Sequence, residues 1–314
     1  MHTFPATTPG HCLNADTLSC RSPKIIAAEL WRALSLVTAV LLTTLLLGAC
    51  STVRLAYSQA PTLGYWWIDS FVDLSDGQSV GLRQDIDDFF EWHAREELPA
   101  YAERLQQWQT LAMSDSNPDL ACSQFTVLQQ AYLRAIDRSV EPLARLAGQL
   151  TPAQWSHLQR HQGKSNRAFE GDWLNISQKA RQERLLDKAL DRYESLYGDL
   201  TPAQIDTLRA RVQRSSFDPK RVQAERLRRQ TDLLGSLKAA KADPPQASKN
   251  LRAWHDRVMQ SPTPGFPAYS QQLIREGCEQ FAALHNTTSA KQRLHAVGVL
   301  KGYEADLRSI FGQP

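Results

Sequence analysis

The sequence has little of what most enzyme signatures require. It contains no Gly-x-Ser-x-Gly elbow for a serine nucleophile and no glycine-rich loop of the kind that holds phosphates. Long stretches of alternating apolar and polar residues, which are typical of β-strands, are absent as well. We therefore expect no enzyme activity, no cofactor and no β-sheet.

Charge of one sign is also scarce. The 314 residues include 36 Lys or Arg and 33 Asp or Glu, a net charge of +3. Without the first 49 residues, 33 basic and 31 acidic residues remain, a net charge of +2. Nucleic-acid binding depends on an excess of cations, so we expect no nucleic acid among the partners.

One uncharged stretch stands out near the N-terminus. Residues 33–47 are apolar and follow Lys24 and Arg32, which is the layout of an export signal. The stretch is shorter than the ~20 residues that a spanning helix needs. Its end, Leu-Gly-Ala-Cys at residues 47–50, resembles the box that bacterial lipoprotein signal peptidase reads. This resemblance implies cleavage before Cys50 and lipidation of this cysteine, with a diacylglyceryl group on its thiol and fatty acids such as palmitate.

The same resemblance places the protein in the cell envelope, because two or more fatty chains anchor a protein stably. Ser51, in place of an acidic residue, favours the outer membrane, with the protein facing the periplasm. We expect residues 1–49 to be a signal peptide with an unusually long start, residues 50–79 a lipidated tether with an aromatic segment, and residues 80–314 a helical domain. An uncleaved anchor, or ordinary secretion with an incidental cysteine, is the alternative.

Cysteines outside the leader are few. Once Cys50 carries lipid, only Cys122 and Cys278 remain as thiols of the mature chain. A solitary pair in an oxidising periplasm favours a disulfide, and two unrelated buried thiols are the alternative.

From Val80 onward, apolar residues recur with the 3.6-residue period of an amphipathic helix. The pattern predicts an all-α protein, a multi-helix antiparallel bundle or array with short connections. Pro142 lies inside one predicted helix and should kink or split it. Breaks are expected at residues 114–118, 148–152, 198–202, 215–219, 243–245, 261–267 and 286–289.

The pentapeptide Leu-Thr-Pro-Ala-Gln occurs twice, at residues 150–154 and 200–204. Thr at the N-cap, Pro at the first helical position and Gln at the third predict a capping box at the start of a helix. The Leu-Thr-x-x-Gln element also resembles the paired motif of the Spy and CpxP periplasmic chaperones, which hold unfolded clients. Capping alone explains both copies, and we favour that interpretation.

A wider resemblance is concentrated between Arg54 and Tyr101. Its motifs are Arg-Leu-Ala-Tyr at 54–57, Tyr-Trp-Trp-Ile-Asp at 65–69, Phe-Val-Asp-Leu at 71–74, Trp-His at 92–93 and Leu-Pro-x-Tyr at 98–101. They resemble a family of proteobacterial lipoproteins of unknown function. This implies a helical, lipid-anchored envelope protein and supplies no activity.

Tyr65, Trp66 and Trp67 form an aromatic cluster shortly after Cys50. Such a cluster either closes the end of a helical core or rests on the lipid headgroups, where amphipathic rings are favoured. We favour core packing.

His157 and His161 stand four residues apart on one predicted helix and point the same way, so they could hold a metal together. A third ligand would have to come from Glu170 or Asp172. An exposed polar face explains the pair better, and no metal site is predicted.

The densest run of one sign is basic. It predicts a positive face for anionic headgroups or acidic clients, and a solvated helix exterior is the alternative. The candidate binding residues are Arg209, Arg211, Arg214, Arg221, Arg226, Arg228 and Arg229.

Together these features predict a lipid-anchored periplasmic helical protein that acts as a binding or chaperone-like envelope scaffold without catalysis. Its expected partners are the membrane, through the lipid, and envelope proteins. The alternative function is a metal-dependent hydrolase that uses His157 and His161.

Overall fold

The structure is a computed structural model that describes residues 52–312. This part of the chain is helical and contains no strand, so the all-α prediction is confirmed. Short π-helices at His93–Glu97 and Glu170–Leu174 and a 3-10 turn at Pro244–Gln246 join some of the α-helices. The α-helices of these residues are α1 Thr52–Val72, α2 Asp76–Trp92, α3 Leu98–Leu111, α4 Pro118–Gln149, α5 Pro152–Phe169, α6 Gln178–Tyr197, α7 Pro202–Gln213, α8 Pro219–Ala242, α9 Ala247–Met259, α10 Phe266–His285 and α11 Ala290–Phe311.

The predicted breaks lie where the chain changes direction, and four of them end in a proline that opens a helix. Helices α4, α5, α7 and α8 begin with Pro directly after an N-cap side chain that accepts a backbone N–H. Proline suits this position because the first helical N–H has no partner inside the helix. Gly198 ends α6 with φ of 73°, a left-handed conformation that glycine adopts without a steric penalty.

The helices pack as an array around α4, which contacts α2, α8, α9 and α10. Helix α11 lies along α3 and also contacts α1 and α6. One apolar cluster joins α4, α5, α8 and α9 around Val140 and Leu251, and a second joins α6, α7, α10 and α11 around Leu208 and Leu284. Each of these buried leucines contributes about 2 kcal/mol by leaving water.

The N-termini of α2 and α5 meet through two buried glutamines, Gln78 and Gln154. Gln154 donates from Nε2 to Oε1 of Gln78 at 2.7 Å and to the carbonyl oxygen of Asp73 at 2.9 Å. Gln78 donates from Nε2 to Oε1 of Gln154 at 3.3 Å and to the carbonyl oxygen of Gln149 at 3.1 Å. Each Oε1 also accepts the backbone N–H of its own N-cap residue at 2.9 Å.

The N-termini of α7 and α11 repeat this arrangement with Gln204 and Gln292. Each Nε2 donates to the Oε1 of the other glutamine at 3.0 Å. Gln204 also donates to the carbonyl oxygen of Thr287 at 3.1 Å, and Gln292 to that of Asp199 at 2.9 Å. We call each set a reciprocal cap pair. In each pair, the glutamine at the third position of one capping box also donates to a backbone carbonyl oxygen just before the other helix.

The repeated pentapeptide therefore forms capping boxes, as predicted, at Thr151 and Thr201. Two further boxes, at Ser75 and Ser289, were not predicted, and they are the partners of the first two. In both pairs the amide hydrogens and oxygen of each glutamine are occupied, which removes the cost of burying a polar group.

The structure corrects the predicted tether over residues 50–79. From Thr52 onward this segment is helical, and α1 packs on α2, α5 and α11 as part of the helical body. Pro142 does not split its helix, because α4 runs unbroken from Pro118 to Gln149. A break that was not predicted separates the π-helix ending at Leu174 from α6.

Cys122 of α4 and Cys278 of α10 are joined by a disulfide, with their Cα atoms 5.4 Å apart. The two cysteines are 156 residues apart in sequence. A cross-link over such a long loop restricts the unfolded chain and stabilises the fold by up to about 5 kcal/mol. The bond links α10 covalently to the central helix.

Replacing Gln204 by Ala should lower the free energy of unfolding by about 2 kcal/mol or more. The change removes both hydrogen bonds between the two buried amides and takes away the side-chain partners of the Thr201 N–H and the carbonyl oxygen of Thr287. Gln271→Ala, on the exposed face of α10, is the matched control and should change stability by less than about 0.5 kcal/mol. Urea unfolding followed by circular dichroism measures both, and equal effects would contradict the role of the pair.

Candidate functional site

His157 and His161 do lie on one face of α5, but they make different contacts. His157 Nε2 lies 3.0 Å from the carbonyl oxygen of Ser70, and its Nδ1 lies 3.9 Å from a carboxylate oxygen of Asp73. The ring of His161 packs on Phe71 with 3.9 Å between centroids, and its Nδ1 is buried without a hydrogen-bond partner. The pair therefore attaches α5 to the end of α1.

Within residues 52–312, no three His, Cys, Asp or Glu side chains are placed to hold a metal ion together. Glu170 instead accepts a hydrogen bond from Gln223, and Asp172 pairs with Arg184. The two candidate third ligands are thus used elsewhere, and nothing in this geometry favours the metal-dependent hydrolase.

A carboxylate buried in the basic run organises the region around α8. Glu225 is 2% exposed and accepts hydrogen bonds from the guanidinium groups of Arg228 and Arg229, the latter at 2.7 Å. The hydroxyls of Ser261 and Thr263 each donate to the same carboxylate at 2.9 Å. Desolvation raises the pKa of Glu225, but these four donors outweigh it and lower the pKa to about 2.

Among the seven arginines proposed as a positive face, four pair with carboxylates and three contact neutral groups. Arg228 and Arg229 hold Glu225, and Arg228 also contacts Asp232. The other five are each engaged as well: Arg209 with Asp206, Arg211 with Glu279, Arg214 with the carbonyl oxygen of Ala210, Arg221 over the ring of Tyr269, and Arg226 with Asn166 and Ser165. Arg209 and Arg214 make these contacts within α7 and its C-cap, whereas Arg211 contacts α10 and Arg226 contacts α5.

A groove of about 390 Å3 opens beside this network, and we call it the Trp254 groove. Its apolar lining comes from α8, α9 and the start of α10. Arg226 and Arg229 supply guanidinium groups next to that surface. The indole N–H of Trp254 is buried and has no hydrogen-bond partner in the protein. The apolar lining residues are Val222, Leu233, Trp254, Val258 and Phe266.

A second polar cluster surrounds the π-helix His93–Glu97. Glu97 is buried and receives a bidentate pair of hydrogen bonds from Arg134, both at 2.7 Å, which lower the pKa of Glu97. The hydroxyl of Tyr57 lies 3.1 Å from Nδ1 of His93, and burial lowers the pKa of that imidazole. Arg134 itself is half exposed, and the cluster fixes α1 and α4 against the π-helix.

The aromatic segment of α1 divides between two environments. Tyr65 donates to Ser79 at 3.0 Å, and the guanidinium carbon of Arg83 lies 3.5 Å from its ring centroid. Trp66 and Trp67 are each 65% exposed, so the favoured interpretation of core packing is wrong for both. None of the helices in residues 52–312 combines the length and apolar character needed to cross a membrane.

Sequence reasoning passed over Glu97, Arg134, Glu225, Ser261 and Thr263 as site residues. A signal did exist for Glu225, which stands three and four residues before Arg228 and Arg229 on one helix face. Ser261 and Thr263 gave none, because only the fold brings that loop to α8. Cys50 lies outside the described residues.

The fold and these closed polar clusters define an all-α helical array with an open amphipathic groove. The chain belongs to the Family of unknown function (DUF6279), which matches residues 70–276. None of the curated proteins and none of the solved structures matches it. The match agrees with the resemblance to a family of unknown function and supplies no activity.

Replacing Glu225 by Gln should lower the free energy of unfolding by about 3 kcal/mol at neutral pH, because Arg228 and Arg229 lose the charge that compensates their desolvation. A carboxyl whose pKa falls from 4.5 to about 2 on folding stabilises the protein above pH 4.5. That contribution is lost as the pH falls toward 2, so wild type and variant should converge there.

Urea unfolding between pH 7 and pH 2.5 tests this expectation. Asp206→Asn is the matched control, since Asp206 and Arg209 form an exposed pair that contributes about 0.5 kcal/mol or less. A constant difference between wild type and Glu225→Gln over the whole pH range would contradict the assignment.

Proposed function

We propose that this protein is a lipid-anchored scaffold of the cell envelope that binds acidic, partly apolar polypeptide segments in the Trp254 groove. The role is binding without catalysis. The observation that carries the proposal is the groove itself, in which arginines flank a lining of aromatic and branched side chains.

The chemistry of the groove favours such a ligand. Phe266 and Trp254 offer aromatic surface, which dominates the energetics of many interfaces. Arg226 and Arg229 favour carboxylates through their positive charge and through the guanidinium N–H groups that do not bond Asn166, Ser165 or Glu225.

The envelope location rests on the sequence. The apolar leader and the Leu-Gly-Ala-Cys box at residues 47–50 support acylation of Cys50 and residence at the outer membrane, facing the periplasm. The disulfide between Cys122 and Cys278 fits an oxidising compartment.

The anchor is tested by intact-mass spectrometry of the protein purified from membranes. We expect a chain that begins at Cys50 and carries a diacylglyceryl group with a further fatty acid. Cys50→Ala should leave the leader attached and the mass free of lipid. A bare thiol at Cys50 of the wild-type chain would contradict the anchor.

Binding is tested by fluorescence anisotropy with two labelled peptides of equal length, one rich in Leu, Phe and Glu and the other with Lys in place of Glu. Wild-type protein should prefer the acidic peptide. The double variant Arg226→Gln with Phe266→Ala should bind it about tenfold more weakly, because each charge-assisted hydrogen bond contributes about 1.5 kcal/mol or more.

The matched control is Arg209→Gln with Leu294→Ala, which removes the same charge and a similar apolar side chain from exposed sites elsewhere. It should bind like the wild type. Arg228 and Arg229 are left unchanged, since they hold Glu225 and their loss would disturb folding. Equal affinity for both peptides, or equal losses in both double variants, would remove the groove as the binding site.

A further inference from the structure

The outer face of α1 carries four large apolar side chains and no charged one, together with the exposed polar residues Gln59 and Ser70. Leu55 is 61% exposed, Leu63 is 62% exposed, and Trp66 and Trp67 are each 65% exposed. At 100° per residue these four side chains fall within an arc of about 120°, and the stripe is about 18 Å long. Large apolar residues so close together on a surface mark an interaction site.

The opposite face of α1 fixes which way the stripe points. Phe71 packs on His161 of α5, and the hydroxyl of Tyr57 donates to the carbonyl oxygen of Phe90 in α2 at 3.2 Å. These contacts hold α1 against the helical body, so Trp66 and Trp67 face away from it. Asp69 is turned inward, where its carboxylate accepts the backbone N–H of Leu74 at 2.9 Å.

The position of α1 in the chain restricts what can cover this stripe. Thr52, the first residue of α1, is two residues from Cys50, a span of at most ~7 Å. An acylated Cys50 would therefore hold the start of α1 at the headgroup layer of a bilayer. This step rests on the anchoring proposed above.

A protein partner fits this face less well than a lipid surface does. Four partly exposed side chains present on the order of 500 Å2, whereas a stable interface buries about 800 Å2 on each partner. The stripe is the convex surface of one helix and contains two tryptophans, whose rings are favoured at the boundary between headgroups and acyl chains. Helices of this kind lie in the membrane plane with the apolar face buried by ~5–10 Å.

We propose that α1 lies on the bilayer surface, with Leu55, Leu63, Trp66 and Trp67 inserted among the lipid headgroups and upper acyl chains. The lipid on Cys50 and the apolar face of α1 then form one two-part anchor. This anchor holds the helical body in a fixed orientation on the membrane, which a flexible tether would not do.

Site-directed spin labelling of the lipidated protein in vesicles of phosphatidylethanolamine and phosphatidylglycerol tests this orientation. A nitroxide is placed at Leu63→Cys, and matched labels at Leu128→Cys and Leu294→Cys report exposed leucines of α4 and α11. Collision rates with oxygen, which enters the bilayer, and with chromium oxalate, which stays in water, are measured by power saturation. The ratio of oxygen to oxalate accessibility should be several-fold higher at position 63 than at either control.

Each other outcome overturns the docking. High accessibility to both reagents at position 63 would mean that the stripe stays in water. Low accessibility to both would mean that protein covers it, either a second copy or an apolar segment of residues 33–47. A ratio that falls to the control value in 0.5 M salt would also contradict the proposal, because an uncharged face does not depend on screened charge.

A second arm separates this inference from the anchoring proposal. The Cys50→Ser protein, with residues 1–49 replaced by a histidine tag, is held on nickel-chelating lipids and given the same label at position 63. A high ratio in this arm supports docking of α1 even if mass spectrometry finds no acyl group at Cys50. Trp66→Ser with Trp67→Ser should lower the ratio in both arms, and an unchanged ratio would overturn the docking.

Discussion

The helical array depends on buried glutamines that complete each other's helix caps. A helix start leaves backbone N–H groups without partners, and a loop leaves carbonyl groups without partners. In each reciprocal cap pair one glutamine side chain satisfies its own N-cap and the loop of the facing helix. This allows the side chains of all four glutamines to be buried, although the N-cap residues beside them stay exposed. The same interaction occurs at two places in the array.

The buried carboxylates, like the buried glutamines, have hydrogen-bond partners for their polar atoms. Glu225 and Glu97 are each enclosed, and each carboxylate is matched by arginine donors. In a low-dielectric interior such a carboxylate is tolerated only when its oxygens are fully bonded. Arg228 and Arg229 of α8 therefore stabilise the fold by compensating the buried charge of Glu225. What they leave for binding is the groove beside them, where Arg226 and Arg229 border aromatic surface.

The Trp254 groove and the outer face of α1, both within residues 52–312, suit different partners. The Trp254 groove is concave and cationic at its edge, which suits an extended acidic segment. The face of α1 is convex and uncharged, which suits a lipid surface. A scaffold fixed on a bilayer through α1 would hold its groove at a constant height above the membrane, so that binding and anchoring become parts of one arrangement.

The sequence by itself determined the helices, because their period, their N-cap residues and their opening prolines are local signals, as at Thr151, Pro152 and Gln154. It also determined the candidate cysteine pair by elimination, since Cys122 and Cys278 were the thiols that remained. Only the tertiary structure decided which caps pair with which, that Thr52–Val72 belongs to the body, and that Trp66 and Trp67 face outward. It also decided that the arginine run is divided among internal partners. Exposure and charge pairing depend on residues far apart in the chain, such as Glu225 and Ser261, and no local pattern encodes that proximity.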